Sequence, residues 1–467
     1  MVLCRRSVRQ KNKYCADKAE LKNAKLLYIL MSVLLIADWV MPQYFGVHIA
    51  FDFTATRVLN VVIMIYFCFN RTVFKHFLRS ALDVEVTPYL ALYMLVMIAT
   101  TVLRVNVNTF FLNFLDILTF YMVYYGIRYV IGVRKAIDWT VKIAWVLGIY
   151  GMIEYVLGFS PMIKFLMTLP NAAKILFRSG QYRILGPCVH SIAYGMMLLF
   201  LMAIICIDYE KDEIYLLKHP VLYIVLFLNI FLTGSRGPLG LAVVETVLLI
   251  AFSERQRRKK TILILVVAIC AFLLIEVAMI GTPIGRYIMM QITSVIDEVF
   301  GTAFSVNFGA DLTLLNQSSG YREYLPRIFT VEWLNPLVGR GANAAVGFEF
   351  DGVYVISIDN FYVATYIRYA YPGLVTFVLF QIMTAFYMLK CGFKHRSGLS
   401  IGLAIGFIMY SIGLLWVDYL QTTKYMYILI AIYAAYYSEC FIAKDRKARF
   451  QKKKGKSIIK NVIYPVR

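Results

Sequence analysis

The stretch FLTGSRGPLGLAVV, residues 231–244, sets Arg236 between two apolar runs, beside Ser235 and Thr233 and between Gly234 and Gly237. A guanidinium stays charged at physiological pH and presents a planar fork of donors that fits a phosphate or carboxylate. A polar residue at membrane depth points to function by default, and the flanking glycines let a ligand approach the main chain. Other arginines share the setting: Arg183 in RILGP, Arg322 and Arg327 in YREYLPRIF, Arg340 in NPLVGRG, and also Arg286 and Arg368. The chemistry this set offers is neutralisation of an anionic group, and a lipid pyrophosphate fits it well. The competing account pairs each arginine with an acid such as Glu323, Glu332, Asp351 or Asp359, or lets it reach lipid headgroups. That account serves Arg286, Arg340 and Lys164 better than it serves Arg236.

The elements that must position these groups are membrane spans. Of 467 residues, 60% are hydrophobic and only 16% charged, and the mean hydropathy is +0.69. A soluble chain of this length carries far more charge, so the class is an all-α polytopic membrane protein. About 20 apolar residues cross a bilayer as helix, and twelve runs qualify: 25–42, 55–70, 87–104, 109–127, 139–158, 188–207, 219–233, 238–252, 261–281, 371–390, 398–417 and 422–442. The seventh and eighth are short and close around Arg236, with a re-entrant pair as the alternative. The basic N-terminus runs into LLYILMSVLLIADWVM without a small-residue cleavage site, so a retained first span is expected.

Lysines and arginines orient the spans. With both termini in the cytoplasm, inner segments hold about 34 of the 48 basic residues, SERQRRKK at 253–260 and the tail at 443–467 most clearly. The net charge of +21 is thus topogenic and implies no nucleic acid, although the tail is also suited to touching anionic lipid. The exceptions to the bias gather in outer segments 159–187 and 282–370, the second a large loop between spans nine and ten expected to be partly helical over the membrane face. Loops this long are usually functional. Residues 1–467 read as a single integral membrane domain. Asp38, Asp116, Glu154, Glu245 and Glu276 fall inside spans. Most are expected to find partners within the bundle, Asp38 and Glu154 bordering a cavity, while Glu245 lies on the helix face opposite Arg236. The eight cysteines show no CxxC pair and no metal-ligand spacing.

In order, RILGP (183–187), LTGSRGPLGL (232–241), YREYLPRIF (321–329), NPLVGRG (335–341) and DNFYVATYIRYAYPGL (359–374) resemble the O-antigen polymerase and O-antigen ligase superfamily, over roughly residues 140–390. The resemblance implies a bacterial cytoplasmic-membrane glycosyltransferase of GT-C-like architecture. Such an enzyme uses no cofactor or metal and moves a glycan from undecaprenyl pyrophosphate to an acceptor on the outer face. It implies Arg236, Arg322 and Asp359 as catalytic residues, with Arg183, Arg327, Asn360, Tyr362, Tyr321 and Ser235 binding substrate. It implies as partners a lipid-linked oligosaccharide, membrane lipid and a chain-length regulator. Asp359 stands either as proton acceptor or as a group orienting an arginine. Two departures matter. Where relatives carry a proline this chain reads CVHSIAYG, making His190 a helix cap or a site residue; and Asp359 stands where ligases have histidine, which favours a polymerase. Rivals are an O-antigen ligase and a flippase or transporter of lipid-linked oligosaccharide, the transporter disfavoured by the lack of a two-fold repeat.

Overall fold

The computed structural model describes residues 25–48, 52–105, 107–169, 177–178, 181–311, 325–332, 334–342, 348–350, 353–355, 358–418 and 422–442. Each of the twelve apolar runs lies on a helix. In chain order the helices are α1 (Lys25–Val40), α2 (Ala55–Phe69), α3 (Arg71–Leu82), α4 (Thr87–Arg104), α5 (Val107–Tyr125), α6 (Val133–Leu157), α7 (Pro161–Leu166), α8 (Ser191–Ile205), α9 (Pro220–Leu232), α10 (Arg236–Ala251), α11 (Arg255–Met279), α12 (Pro283–Phe300), α13 (Phe361–His395), α14 (Gly398–Gly413) and α15 (Thr423–Cys440). Five are long and apolar enough to cross a bilayer, or up to six when the bent pair α2 and α3 is counted as one span. This is compatible with an all-α membrane protein. Small two-stranded ribbons, such as 46–48 with 52–54, join some of the helices.

Several boundaries differ from the sequence reading. Residues 71–79, read as a plain inner segment, belong to α3, which turns by 116° from α2 at Asn70. Arg71, Lys75 and Arg79 recur every fourth residue and share one face of α3, the pattern of a helix lying in a membrane interface. Helix α12 occupies 283–300, where Thr282 caps it by accepting from Gly285 N and Pro283 supplies the first turn. Helix α13 begins at Phe361, ten residues before the expected span, and holds Ala370 at φ 55°, ψ −161°.

That break has a local cause. Pro372 has no N–H to give the Arg368 carbonyl four residues back, and Gly341 N donates to it instead at 2.9 Å. Arg340 N takes the Ile367 carbonyl at 2.9 Å, and Tyr371 N turns to Pro336 O at 3.1 Å. The NPLVGRG loop therefore satisfies what the broken helix cannot. It needs glycine twice. Gly341 has φ +91°, and a Cβ on Gly339 would meet the Arg368 carbonyl oxygen at 2.2 Å. Arg104 at the end of α4 clamps the same loop, its Nε donating to Gly339 O at 2.8 Å.

Helix α8 is the axis of the bundle, with every residue buried except Ile192. Small residues let its neighbours close in, as membrane helices require: a Cβ on Gly195 would meet Pro238 of α10 at 2.8 Å, and one on Gly413 would meet Met196 at 2.1 Å. By contrast α11 buries only Thr261 and Glu276. At the end of the bundle holding residues 206–219, Asp212 accepts from the Ser397 hydroxyl, Leu399 N and the Tyr436 hydroxyl. Arg257 pairs there with Glu213 at 3.0 Å. These ties lock α8, α11, α13, α14 and α15 at that end and leave the opposite end for the arginines.

Candidate functional site

The turn between α9 and α10 is built around Arg183. Gly234, at φ +60°, reverses the chain, and Ser235 is the residue that precedes the first turn of α10. Arg183 lies on this turn: its Nε donates to the Thr233 carbonyl at 2.7 Å and its Nη2 to Ser235 Oγ at 2.7 Å. Ile184 N also reaches Leu232 O at 3.4 Å. Arg236, the next residue and the first of α10, is half-buried. Two permanent cations thus belong to one tight turn.

The Arg183 loop is fastened from below. Glu154, fully buried in α6, accepts from the Tyr182 hydroxyl at 2.7 Å and Leu185 N at 3.1 Å on one oxygen, and from Gly186 N at 2.9 Å on the other. Gln43 N donates to Pro187 O at 3.1 Å. His190 is a helix cap, its Nδ1 accepting from Ile192 N at 3.1 Å at the start of α8.

On the other side of the turn, the position of a Gly237 Cβ lies 4.0 Å from Trp416. Two residues beyond Trp416, Asp418 receives the Arg368 fork, Nη1 on Oδ1 at 3.2 Å and Nη2 on Oδ2 at 3.4 Å. Both side chains are nearly buried, 10% and 13% exposed. Burial pushes the Asp418 carboxyl up to about 6, the Arg368 guanidinium opposes this in part, and the neighbouring Asp359 carboxylate adds to it. Asp359, Arg368 and Asp418 therefore form one electrostatic group. Asp418 had no role in the sequence reading, because its partner lies 50 residues upstream.

The remaining sequence candidates fall in different places. Asn360 caps α13, its Oδ1 accepting from Tyr362 N at 3.0 Å and Val363 N at 3.1 Å. The Tyr362 hydroxyl faces the bundle, 2.6 Å from Gln381 Oε1 and 2.8 Å from Ser411 O, with its one proton for either acceptor. Both hold the fold around Asp359. Arg327 is exposed on the short helix Leu325–Thr330, which packs on α13 through Phe329 against Tyr366, with ring centroids 4.6 Å apart. Tyr321 and Arg322 lie outside the described residues.

A second charged group was not foreseen. Arg57 of α2 pairs with Asp116 of α5 at 3.3 Å, and the nearly buried Lys424 and Asp38 are their electrostatic neighbours. The expectation of partnered acids holds for Glu154 and Asp116. It does not hold for Glu245, whose two oxygens find no hydrogen-bond partner among the described residues, nor for Asp38 Oδ2 or Glu276 Oε1. Asp38 and Glu154 are buried, 1% and 0% exposed. Among the described residues no three His, Cys, Asp or Glu side chains cluster as metal ligands do. Two shallow crevices lie at the other end, lined by residues such as Glu85, Tyr433, Lys390 and Lys394. The sequence matches no protein-family model and no characterised protein.

Proposed function

We propose that the protein is a polysaccharide polymerase of the bacterial cytoplasmic membrane, with twelve spans, cytoplasmic termini and its reaction site at the outer ends of the helices. It moves a growing glycan from undecaprenyl pyrophosphate to a lipid-linked repeat unit. The observation that carries this reading is the seating of Arg183 on the turn that begins α10 with Arg236, because a leaving diphosphate needs fixed cationic donors aimed at its growing charge. In the reaction the acceptor hydroxyl oxygen attacks the anomeric carbon and the bond from that carbon to the phosphate oxygen breaks. The pyrophosphate departs with the electron pair. Arg183 and Arg236, joined by Arg322 and Arg327 from the large loop, hold it. Asp359 takes the hydroxyl proton, while Asp418 keeps Arg368 engaged beside it.

The test is a chain-length ladder from cells in which the gene is replaced by Arg236→Ala, with membrane insertion checked by immunoblot. The reading predicts loss of long chains and accumulation of single repeat units, a rate loss of about a hundredfold or more. Accumulation of long chains on undecaprenyl pyrophosphate would instead identify a ligase. An unaltered ladder overturns the assignment of Arg236.

A further inference from the structure

Resting on that reading, we infer that Glu154 is a positioning residue for the reaction, acting through Arg183. Its carboxylate lies inside α6 and grips the 182–186 loop on both sides of Arg183, through Tyr182 before it and Leu185 and Gly186 after it. Three donors converge on its two oxygens, and two of them are main-chain N–H groups that would otherwise be buried without acceptors. Above that grip the Arg183 side chain reaches Thr233 O and Ser235 Oγ, and this reach seats its fork on the Arg236 turn. Glu154 therefore converts a flexible loop arginine into a pre-set donor, the kind of organisation that electrostatic stabilisation of a leaving group needs.

Glu154→Gln keeps the shape but turns an NH2 toward one of the N–H donors. Chain-extension rate per folded protein is measured for Glu154→Gln, Arg183→Ala and the double variant, using purified protein in vesicles with lipid-linked repeat units. Glu154→Gln should fall about tenfold, and the double variant should be no slower than Arg183→Ala alone, because the two residues act as one unit. Losses that multiply, or a Glu154→Gln rate equal to the parent, overturn the inference. Should Glu154→Gln fail to insert, Tyr182→Phe removes a single donor to the same carboxylate and should slow extension a few-fold, with the same non-additivity. A second readout is independent of activity: maleimide labelling of a Ser235→Cys variant should quicken about tenfold when Glu154→Gln is added, since Arg183 no longer covers the thiol. Unchanged labelling counts against the inference. Arg236→Ala separates the two levels. If it is fully active the assignment of Arg236 on which the inference rests fails, whereas if it is inactive and Glu154→Gln is normal, only the positioning role fails.

Discussion

At the residue scale, the arginines that break the positive-inside pattern divide by what holds them. Arg183 lies on the main chain and hydroxyl of the 233–235 turn, whereas Arg368 lies on a carboxylate. Under the proposed function that difference gives the diphosphate work to the first and a positioning role to the second. Asp418 supplies a pH test. Its folded pKa of about 6 lies above its ordinary 3.8, so its contribution to stability is fully present below about 3.8 and is lost as pH rises through about 6. Thermal unfolding in detergent between pH 4 and 7 should show a fall on the order of 3 kcal/mol over that window, and Asp418→Asn should flatten it; a parent profile without the fall contradicts the assignment. Asp297 works with the opposite sign. Burial raises its carboxyl, but bonds from Thr302, Phe304 and Ser305 outweigh this and hold it below its ordinary value. Its stability contribution is present above about 3.8 and disappears as pH falls through the lowered value. Arg183 and Arg236 were legible in the sequence because glycines and a polar break surround each. Asp418 was not, and Glu154 stood out only as an acid within a span, since the partners of both come from distant parts of the chain and spacing carries no trace of them.

At the element scale, apolar runs marked where helices lie because lipid-facing and core-facing residues are both apolar. What they hid were departures from straight spans. The bend between α2 and α3 falls at Asn70, within a continuous run of helix-compatible residues, and the start of α13 precedes its apolar run by ten residues. Pro372 signalled the break in α13, yet the strained residue is Ala370, at φ 55° and ψ −161°, a region that only glycine enters freely. Ala370→Gly should therefore stabilise the protein by about 1 kcal/mol, read as a higher denaturation temperature in detergent with the insertion level unchanged. A lower temperature would mean that the Ala370 side chain contributes packing that outweighs the backbone strain. Conversely, Gly339→Ala forces a methyl group into the Arg368 carbonyl and should detach the 335–341 loop from α13, detected as faster proteolysis of the large loop. Protection equal to the parent would show the loop is held by other contacts.

At the scale of the whole molecule, the bundle has a sealed axis in α8 and a lipid-facing periphery in α11. One end is tied by Asp212 and Arg257. The turn that carries Arg183 and Arg236 lies at the other. Gly195→Leu, on the axis where a Cβ already meets Pro238 at 2.8 Å, should abolish the folded protein, while Leu274→Ala on α11, where the side chain is 73% exposed, should leave folded yield within twofold. Equal yields from the two would contradict this architecture. The central claim is that the turn at Arg236 grips a diphosphate. Native mass spectrometry of the protein in lipid nanodiscs, titrated with undecaprenyl pyrophosphate and with undecaprenol, the alcohol of the same chain, as control, tests it directly. The account predicts diphosphate-dependent binding that weakens at least tenfold in both Arg183→Ala and Arg236→Ala. Binding unchanged in those two variants, or equal for the alcohol, contradicts it.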